Sequence, residues 1–267
     1  MFSKRIKAWE LPRLPGETDA ELAERRNRRY YEEQVEDNIK WWNRLGVSVD
    51  LAGKRVLDIG CGHGALAIQA AQRGAIKVLG IDLDQERINF ANANVRDNPV
   101  QGVDVSFSTT DLTEIEAGSF DVCLSKDTFE HVIDMPSLMS QINRILADGG
   151  ILITGFSPLY YSTWGDHGRA RLGRVPWLHA ILPEWAIKAW LRSRYGQVID
   201  SIADLGLNRM TAPEFECLIK NGRWRVDSLR INQKERSRLM PVFNLLRRIP
   251  FLERFFTVSI YAVPGKV

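Results

Sequence analysis

The chain has 267 residues, of which 45% are hydrophobic and 26% are charged, a composition typical of a globular protein with one large domain or with one core and an insertion. Its three cysteines have no metal-type spacing and are too few for a disulfide framework, which fits a reducing compartment. No apolar stretch is long enough for a secretory signal or a membrane span, so the sequence predicts a cytoplasmic protein.

Charge is distributed unevenly along the chain. Residues 1–159 hold 18 basic and 24 acidic side chains, whereas residues 160–267 hold 18 basic and 9 acidic ones. A basic C-terminal part can attract an anionic partner such as a phosphate or a membrane surface, although a solvated arginine-rich surface explains the same count. Because no nucleic-acid-binding module or dense basic tract is present, we do not expect nucleic acid as the partner.

The N-terminal segment predicts an irregular arm over residues 1–17 followed by a long helix. Thr18 and Glu21 have the spacing of a capping box, so the helix is expected to begin near Thr18 and to run toward Leu45. Side chains at helical spacing form a stripe that is expected to pack onto the rest of the protein: Tyr31, Val35, Ile39 and Trp42. A helix in this place can also help to close a pocket.

The next hundred residues alternate between strand and helix patterns. Strands are predicted at Arg55–Ile59, Lys77–Ile81, Val103–Ser108, Phe120–Ser125 and Ile151–Phe156. Helices are predicted between them at Ala65–Arg73, at Gln85–Val95, and from Pro136 through Ile145, with Asp148-Gly149-Gly150 before the fifth strand. This alternation indicates right-handed crossovers and a parallel sheet.

The composition changes after the fifth strand. Residues 157–200 are rich in aromatics, proline and arginine, and we interpret them as an insertion that covers the mouth of the sheet. Further elements are expected at Pro213–Lys220 (helix), Trp224–Ile231 (strand), Ser237–Arg248 (basic helix) and Phe255–Val263 (strand). The predicted organisation is therefore an arm and helix (1–49), a cofactor-binding half (50–156), the insertion (157–200) and a C-terminal half of the core (201–267).

The strongest signal is VLDIGCGHG at residues 56–64. A short apolar strand delivers Asp58 to a glycine-rich bend, and the helix that follows offers unpaired N–H groups to an anion. The run Gly60-x-Gly62-x-x-Ala65, with Asp82 22 residues after Gly60, formally satisfies the dinucleotide fingerprint. A nicotinamide cofactor is therefore one interpretation of the bend.

Three features favour S-adenosylmethionine instead. Asp58 lies where its carboxylate can face the ammonium group of the methionine part of the cofactor. A dinucleotide would instead place a pyrophosphate nearby, which a carboxylate would not stabilise. Asp111 and Leu112 follow the third strand, where an acid can bind an adenine amino group and an apolar neighbour can pack on the ring. Polar groups of the segment FDVCLSKDTFEHV at residues 120–132 follow the fourth strand, where the transferable methyl group is expected.

These segments, with VLGIDLD (78–84), TTDL (109–112) and RILADGGILI (144–153), resemble class I S-adenosylmethionine-dependent methyltransferases over residues 50–156. The resemblance implies a Rossmann-like, mostly parallel seven-stranded sheet with helices on both faces and an antiparallel last strand. It also implies that Asp58, Gly60, Gly62 and Gly64 hold the methionine part of the cofactor and that Asp82 holds the ribose hydroxyls. Adenine would contact Leu83, Asp111 and Leu112, and Cys61 and Ser125 complete the predicted set.

The acceptor side offers several candidates for a proton-accepting group. His167, in a loop at the start of the insertion, is our prediction for the base, with His131 and Asp127 as further catalytic candidates. Asp127 can alternatively cap a helical turn together with Glu130. His63 is expected to shape the glycine bend, and His179 to be a packed or surface histidine.

Metal and substrate contacts are less constrained by the sequence. Asp127, His131, Asp166 and His167 can ligate a divalent ion if the loop closes, but no compact spacing demands one, and we assign no metal ligand. Substrate contacts are predicted for Tyr160, Tyr161, Trp164 and Arg169. The alternative for the insertion is a membrane-surface helix in which Trp185, Ile187, Trp190 and Leu191 alternate with basic residues, which would suit a lipid-linked acceptor.

The sequence thus predicts methylation of a hydroxyl group on a small molecule or glycan. The alternatives that stay open are methylation of an amine, a nicotinamide-dependent oxidoreductase with the same glycine bend, and a cofactor-binding subunit without turnover.

Overall fold

We describe the protein from a computed structural model, which describes residues 7–173, 175–233 and 238–267. The described chain forms two compact units. The first comprises the N-terminal segment up to Asn43 with Val49–Ile115, and the second comprises Arg44–Ser48 with Glu116–Val267.

Seven strands form one sheet with the order β3-β2-β1-β4-β5-β7-β6. Their bounds are β1 Arg55–Ile59, β2 Lys77–Ile81, β3 Asp104–Ser108, β4 Phe120–Lys126, β5 Leu146–Phe156, β6 Arg225–Ile231 and β7 Ile260–Gly265. Strands β1, β2 and β3 pair in parallel, as do β4 and β5, whereas β7 is antiparallel to both β5 and β6. This confirms the predicted Rossmann-like sheet with an antiparallel last strand.

Nine α-helices accompany these strands in the described part of the chain. They are α1 Asp19–Arg44, α2 Ala65–Gln72, α3 Gln85–Asp97, α4 Met135–Ile145, α5 Leu178–Ile181, α6 Glu184–Tyr195, α7 Ala212–Asn221, α8 Met240–Leu246 and α9 Glu253–Phe256. None of the helices among these residues has both the length and the apolar character needed to cross a lipid bilayer.

Helix α1 begins where the capping box predicted it. The backbone N–H of Thr18 donates to the Glu21 carboxylate (2.8 Å), and the N–H of Glu21 donates back to Thr18 Oγ1 (3.3 Å), which satisfies two of the helix's first free donors. The predicted apolar stripe is wrong at Ile39, whose side chain is 60% exposed, because the helix instead buries the neighbouring positions Asn38 and Trp41.

Within the first unit, α1 packs along the elements that follow β1. The Gln69 side chain of α2 donates to the carbonyl of Val35 (3.2 Å), and the Arg73 guanidinium lies 4.1 Å from the ring centroid of Trp42. Helix α1 therefore packs against α2, the helix that follows the glycine bend.

In the second unit the core is aromatic near the carboxyl end of β5. The rings of Phe129, Phe156 and Phe215 contact one another with centroid separations of 5.4 to 6.4 Å, and all three are fully buried. A second cluster of buried side chains gives the predicted insertion its own packing centre, and it extends beyond residue 200: Tyr160, Ala170, Ile187, Leu191, Ile199, Ile202, Leu205 and Leu207.

The C-terminal elements differ from the prediction in their bounds. The last strand begins at Ile260 rather than at Phe255, because Glu253–Phe256 forms a short helix in which Phe256 packs against Trp177 and Phe243. The basic helix is shorter than predicted, and its expected start at Ser237 lies outside the described residues. Strand β5 is longer at its N-terminal side, where Leu146 pairs with Phe120 across a register shift.

Candidate functional site

The glycine bend after β1 is held by the backbone of the neighbouring strand. Gly60, Gly62 and Gly64 have φ values of +74°, +52° and +81°, which residues with a side chain rarely adopt. The N–H groups of Gly60 and Cys61 both donate to the carbonyl of Ile81 at the end of β2 (2.8 and 2.9 Å). The chain therefore reverses tightly before α2 begins at Ala65.

Two glycines of this bend serve different physical purposes. A Cβ at Gly64 would lie 2.6 Å from the ring of Phe107 and 3.1 Å from the Ala91 side chain, so only glycine lets the helix start close to β3 and α3. A Cβ at Gly62 would meet no atom within 4 Å among the described residues. Space beside the backbone at Gly62 is thus available to a ligand.

Asp82 is held rigidly beside the bend. Its two carboxylate oxygens accept the backbone N–H groups of Gly62 (2.9 Å) and Asp84 (3.0 Å), so the orientation of the carboxylate is fixed before any ligand binds. The next side chain, Leu83, is 95% exposed. A large apolar side chain presented in this way next to a fixed carboxylate suits a ligand with a polar edge and a flat apolar face.

The other predicted cofactor residues of the first unit are positioned as follows. Asp58 is 1% exposed in β1, and Cys61 is buried behind the bend, where desolvation and the Asp58 and Asp82 carboxylates raise the pKa of its thiol. Asp111 is exposed, and it accepts hydrogen bonds from the backbone and hydroxyl of Thr113, which lower its pKa. Leu112 is half-buried beside it.

His63 is part of the packing that shapes the bend. Its Nε2 lies 3.1 Å from Asn27 Oδ1, and its ring contacts Tyr30 and Phe90 with centroid separations of 4.9 and 5.1 Å. Burial, and secondarily the nearby Arg87 charge, lower its pKa to about 4, so the ring is neutral at physiological pH. These contacts agree with the loop-shaping role that we expected.

In the second unit, two of the predicted catalytic residues have strained backbones. Asp127 and His167 have φ values of +51° and +52° although neither is a glycine, a conformation that costs of order 1 kcal/mol or more and is concentrated at functional sites. The following 3₁₀ turn, Phe129–His131, has Thr128 at its N-cap position rather than the expected Asp127. Ser125, at the end of β4, is 1% exposed.

His131 and His167 lie together, with ring centroids 4.9 Å apart. His131 Nδ1 donates to the carbonyl of Gly206 (2.8 Å), and His167 Nε2 donates to the carbonyl of Pro158 (3.0 Å). Since a carbonyl oxygen only accepts, these contacts fix both tautomers and leave a lone pair on the second nitrogen of each ring. Desolvation lowers both pKa values, that of His167 to about 4.

Glu130 completes this group, and the sequence did not single it out as a site residue. Its side chain is 3% exposed, and no close hydrogen bond reaches its two carboxylate oxygens among the described residues, although the backbone N–H groups of Glu130 and Ser157 lie near enough to lower its pKa in part. Burial, reinforced by the Asp127 carboxylate, raises its pKa well above the ordinary value. One ligand-type atom each from Glu130, His131 and His167 lies within 4.8 Å of the others.

Asp166 and His179 form a separate pair inside the insertion. The carboxylate of Asp166 lies 3.7 Å from His179 Nδ1, and His179 Nε2 donates to the carbonyl of Tyr160 (2.6 Å). Both side chains are buried. Asp166 therefore does not belong with His131 and His167 as the sequence suggested, and His179 is a packed histidine as expected.

The predicted substrate residues fall into two groups. Tyr160 is 4% exposed, and its hydroxyl donates to the His179 carbonyl, so it packs the insertion rather than offering a ring to a ligand. Trp164 is 47% exposed and Tyr161 half-buried. Arg169 is exposed, but its Nη1 donates to the carbonyls of Leu205 (2.5 Å) and Gly206 (2.9 Å).

The alternative role of α6 as a membrane-surface helix remains a prediction. Trp185 and Trp190 are 72% and 39% exposed, whereas Ile187 and Leu191 are fully buried in the insertion's packing centre. The two aliphatic residues of the proposed membrane-facing group are therefore buried in the protein, and only its two tryptophans are exposed on the surface.

Known proteins share both sequence and fold with this chain. Residues 50–160 match a family model described as a methyltransferase domain. A ubiquinone biosynthesis O-methyltransferase of Hahella chejuensis is 32% identical over 187 residues, which cover 64% of this chain and 70% of the relative. The chain belongs to the S-adenosylmethionine-dependent methyltransferase family.

Two further matches define how far the likeness extends. A ubiquinone biosynthesis O-methyltransferase of Neisseria meningitidis is 32% identical over 131 residues, so this chain spans only 55% of that relative's length. The crystal structure of an S-adenosylmethionine dependent methyltransferase from Mesorhizobium loti aligns over 86% of this chain and 99% of its own, with a TM-score of 0.55 and 20% identity. That structure supports the methyltransferase fold.

S-adenosylmethionine is the cofactor of this methyltransferase family, and the residues of the bend fit it. The open space at Gly62 leaves room for the methionine part, the fixed Asp82 carboxylate can accept hydrogen bonds from ribose hydroxyls, and the exposed Leu83 can cover adenine. Membership of this family decides the choice between a dinucleotide and S-adenosylmethionine in favour of the latter. The individual roles of the ten predicted cofactor residues stay predictions.

Proposed function

We propose that this methyltransferase transfers the methyl group of S-adenosylmethionine to a hydroxyl oxygen of a small molecule or glycan. The observation that carries the proposal is the His131–His167 pair, in which each neutral ring keeps one lone pair for a proton. The names of the relatives, which are O-methyltransferases, point in the same direction. An amine acceptor in its neutral form needs no such base.

The proposed reaction needs one bond made, one broken and one proton removed. When bound, S-adenosylmethionine supplies a methyl carbon attached to a cationic sulfur. The acceptor oxygen would form a bond to that carbon, and the carbon–sulfur bond would break with its electron pair left on sulfur. The hydroxyl proton passes to Nδ1 of His167, the nitrogen that the Pro158 contact leaves with a lone pair.

His167 is suited to receive this proton by its protonation state and orientation. Because burial lowers its pKa to about 4, the ring is neutral at neutral pH. The hydrogen bond to the Pro158 carbonyl keeps the ring proton on Nε2 and holds the orientation of the ring. A positioned base of this kind contributes roughly 10²–10⁴-fold to a rate.

The remaining predicted residues have supporting roles in this proposal. His131 packs against the His167 ring and limits its rotation, and Asp127 supplies negative charge next to Glu130. Trp164, with about half of its side chain exposed, is the proposed stacking surface for the acceptor, and Arg169 is the proposed contact for an anionic group on it.

The proposal is tested with labelled S-adenosylmethionine and a panel of acceptors. The panel contains phenols, sugar hydroxyls and primary amines, and mass spectrometry with NMR locates the added methyl group. We expect methylation on oxygen, and we expect His167→Gln to lower kcat by roughly 100-fold with an unchanged Kd for S-adenosylhomocysteine by calorimetry.

His179→Gln is the matched control, since His179 is also a buried histidine that donates to a carbonyl but lies in the separate Asp166 pair. It should keep kcat near the wild-type value. Methylation only of amines, or full turnover by His167→Gln, would overturn the assignment.

A further inference from the structure

We propose that Glu130, His131 and His167 form a binding site for one divalent first-row transition-metal ion. Nothing in the glycine bend or in the base assignment requires this site, and it is argued from the geometry of the three side chains. Its proposed consequence, activation of the acceptor hydroxyl, rests on the proposed O-methylation.

The first argument is the orientation of the two histidines. Metal-binding histidines characteristically donate their other ring N–H to a carbonyl or carboxylate, which fixes the ring and the tautomer. Both rings here make that contact with a backbone carbonyl, at 2.8 Å for His131 and 3.0 Å for His167. Each ring therefore keeps its second nitrogen as a potential ligand, Nε2 in His131 and Nδ1 in His167.

The second argument is the environment of Glu130. The Glu130 carboxylate is 97% buried and receives no close hydrogen bond among the described residues. The backbone N–H groups of Glu130 and Ser157 offset its burial only in part, so it lacks the full compensation that buried charged groups normally have. Arg169 is the nearby positive charge, but its Nη1 is already bonded to two backbone carbonyls. A cation held between Glu130 and the two imidazoles supplies the missing counter-charge.

The third argument is distance. One candidate ligand atom from each of Glu130, His131 and His167, a carboxylate oxygen or either ring nitrogen, lies within 4.8 Å of the other two, whereas ligands at about 2.0–2.2 Å from one ion are roughly 3–3.6 Å apart. Side-chain rotations that move each atom by about 1 Å close this difference. The backbone positions need not change, because His167 is fixed by its loop and Glu130 and His131 by the 3₁₀ turn Phe129–His131.

The donor set also indicates the class of ion. Two imidazoles and one carboxylate suit Mn²⁺, Fe²⁺, Co²⁺ or Zn²⁺, whereas Mg²⁺ and Ca²⁺ prefer all-oxygen sites. Three protein ligands leave further coordination positions open. An acceptor hydroxyl bound there would lose its proton more readily, because a divalent ion lowers the pKa of a bound oxygen. Because Nδ1 of His167 would then be a ligand of the ion, its lone pair could not also take the hydroxyl proton. With the ion bound, the metal-bound hydroxyl would release its proton to solvent, and the ion would replace His167 as the activating group.

Binding is tested without any methyl acceptor. Chelator-treated full-length protein is titrated with Zn²⁺ by calorimetry and with Co²⁺ by visible spectroscopy, in the presence of 1 mM Mg²⁺ as an oxygen-seeking competitor. We expect one ion per chain with a Kd of about 1 μM or below, a Co²⁺ spectrum with d–d bands of a nitrogen- and oxygen-ligated ion, and no effect of Mg²⁺.

The variants Glu130→Gln and His131→Gln should each weaken Zn²⁺ binding by about 100-fold. Asp166→Asn and His179→Gln alter an equally buried carboxylate–histidine pair in the same unit and should leave it unchanged. If Glu130→Gln does not fold, His167→Gln in the loop gives the same test. The site is refuted if the wild-type protein binds no Zn²⁺ below 100 μM, or if all three ligand variants bind like the wild type.

Turnover separates this inference from the proposed function. Chelator-treated protein should lose O-methylation at least tenfold and regain it when Zn²⁺ or Mn²⁺ is added. Full O-methylation without metal would overturn the activating role while the proposed function stands. Stoichiometric Zn²⁺ binding in a protein that methylates only amines would overturn the proposed function while the metal site stands.

Discussion

The glycine bend of the first unit and the histidine pair of the second are built in different ways. The bend is made of consecutive residues whose backbone conformation is set by three glycines with positive φ. The histidine pair joins separate segments of the chain: His131 bonds to Gly206, 75 residues away, whereas His167 bonds to Pro158, 9 residues away, and contacts the His131 ring from a different loop. A site encoded in one loop can be recognised from a sequence, whereas a site assembled by remote contacts requires the fold.

The difference also concerns which substitutions each site tolerates. In the bend, the shape of the main chain and the close approach at Gly64 matter most, so an added methyl group is harmful. In the pair, the chemistry resides in side chains, so an isosteric replacement that removes a lone pair or a charge is the informative change. The following predictions test this contrast from the largest effect to the smallest.

The largest effect is expected for Gly64→Ala. Its new Cβ would lie 2.6 Å from Phe107 on a backbone with φ +81°, so overpacking and conformational strain together should lower the free energy of unfolding by about 4 kcal/mol. Chemical denaturation followed by circular dichroism measures this change.

Gly62→Ala separates folding from binding at the same bend. Here the Cβ points into open space at φ +52°, so stability should fall by only ~1 kcal/mol while binding of S-adenosylhomocysteine is largely lost. Gly102→Ala, with φ +74° and the same open surroundings, is the control and should bind normally. Unimpaired binding by Gly62→Ala would show that no ligand approaches the bend there.

The second effect is a pH dependence caused by His63. Its pKa is lowered to about 4 in the folded protein from an ordinary 6.5, so unfolding takes up a proton between pH 6.5 and 4. Stability is therefore constant above pH 6.5 as far as this group is concerned, and it falls as the pH drops, by about 3 kcal/mol at pH 4.

His167 titrates in the same direction, so the His63 contribution is measured as a difference. Urea unfolding of the wild type and of His63→Gln is compared at pH 7 and pH 4.5. Between pH 7 and pH 4.5, the free energy of unfolding of the wild type should fall by ~2 kcal/mol more than that of the variant. If the difference in unfolding free energy between the two proteins is the same at both pH values, burial does not lower the pKa of His63.

The third effect concerns Asp82→Asn. One of its two oxygens becomes an amide N–H₂ that faces a backbone N–H donor of Gly62 or Asp84, which should weaken binding of S-adenosylhomocysteine by roughly 30-fold. Asp84→Asn keeps the cap of α3, because asparagine caps as well as aspartate, and should bind like the wild type. If calorimetry gives the two variants the same affinity for S-adenosylhomocysteine, Asp82 does not contribute to cofactor binding.

The smallest effect is expected on the acceptor side for Trp164→Ala. Loss of one exposed stacking ring should raise KM for the acceptor by about 5-fold, equivalent to ~1 kcal/mol, with kcat nearly unchanged. Trp185→Ala removes a more exposed indole from α6 and is the matched control. A larger effect of Trp185 with vesicle-bound acceptors would favour the membrane-surface interpretation of that helix.

The fold and the bend could be predicted because their signals are local. The capping box of Thr18 and Glu21, the glycines after β1 and the strand–helix alternation each occupy a few neighbouring residues. The helical stripe was misplaced at Ile39 because periodicity alone does not decide which of two adjacent positions a helix buries. Phe255 and Phe256 show the related ambiguity, since a short apolar run fits a strand as well as a helix.

The acceptor side could be predicted only in part, for a different reason. His131 and His167 were found as residue types in suggestive loops, but their pairing depends on the tertiary structure. Glu130 was interpreted as half of a capping box because a glutamate three residues after an aspartate has that spacing. Tyr160 was assigned to a ligand surface because its sequence neighbours are aromatic, and burial by α6 and by residues 199–207 is invisible in that pattern.

One carbonyl oxygen links distant parts of the second unit. Gly206 O accepts a hydrogen bond from both His131 and Arg169, and Gly206 lies between Leu205 and Leu207, which belong to the packing centre of the insertion. A change of shape deep in that packing would therefore turn the imidazole without touching it. Directed evolution toward new acceptors can accordingly search apolar positions such as Leu205 and Leu207. Substitutions there would change the orientation of His131 indirectly, while the sequence of the glycine bend stays the same.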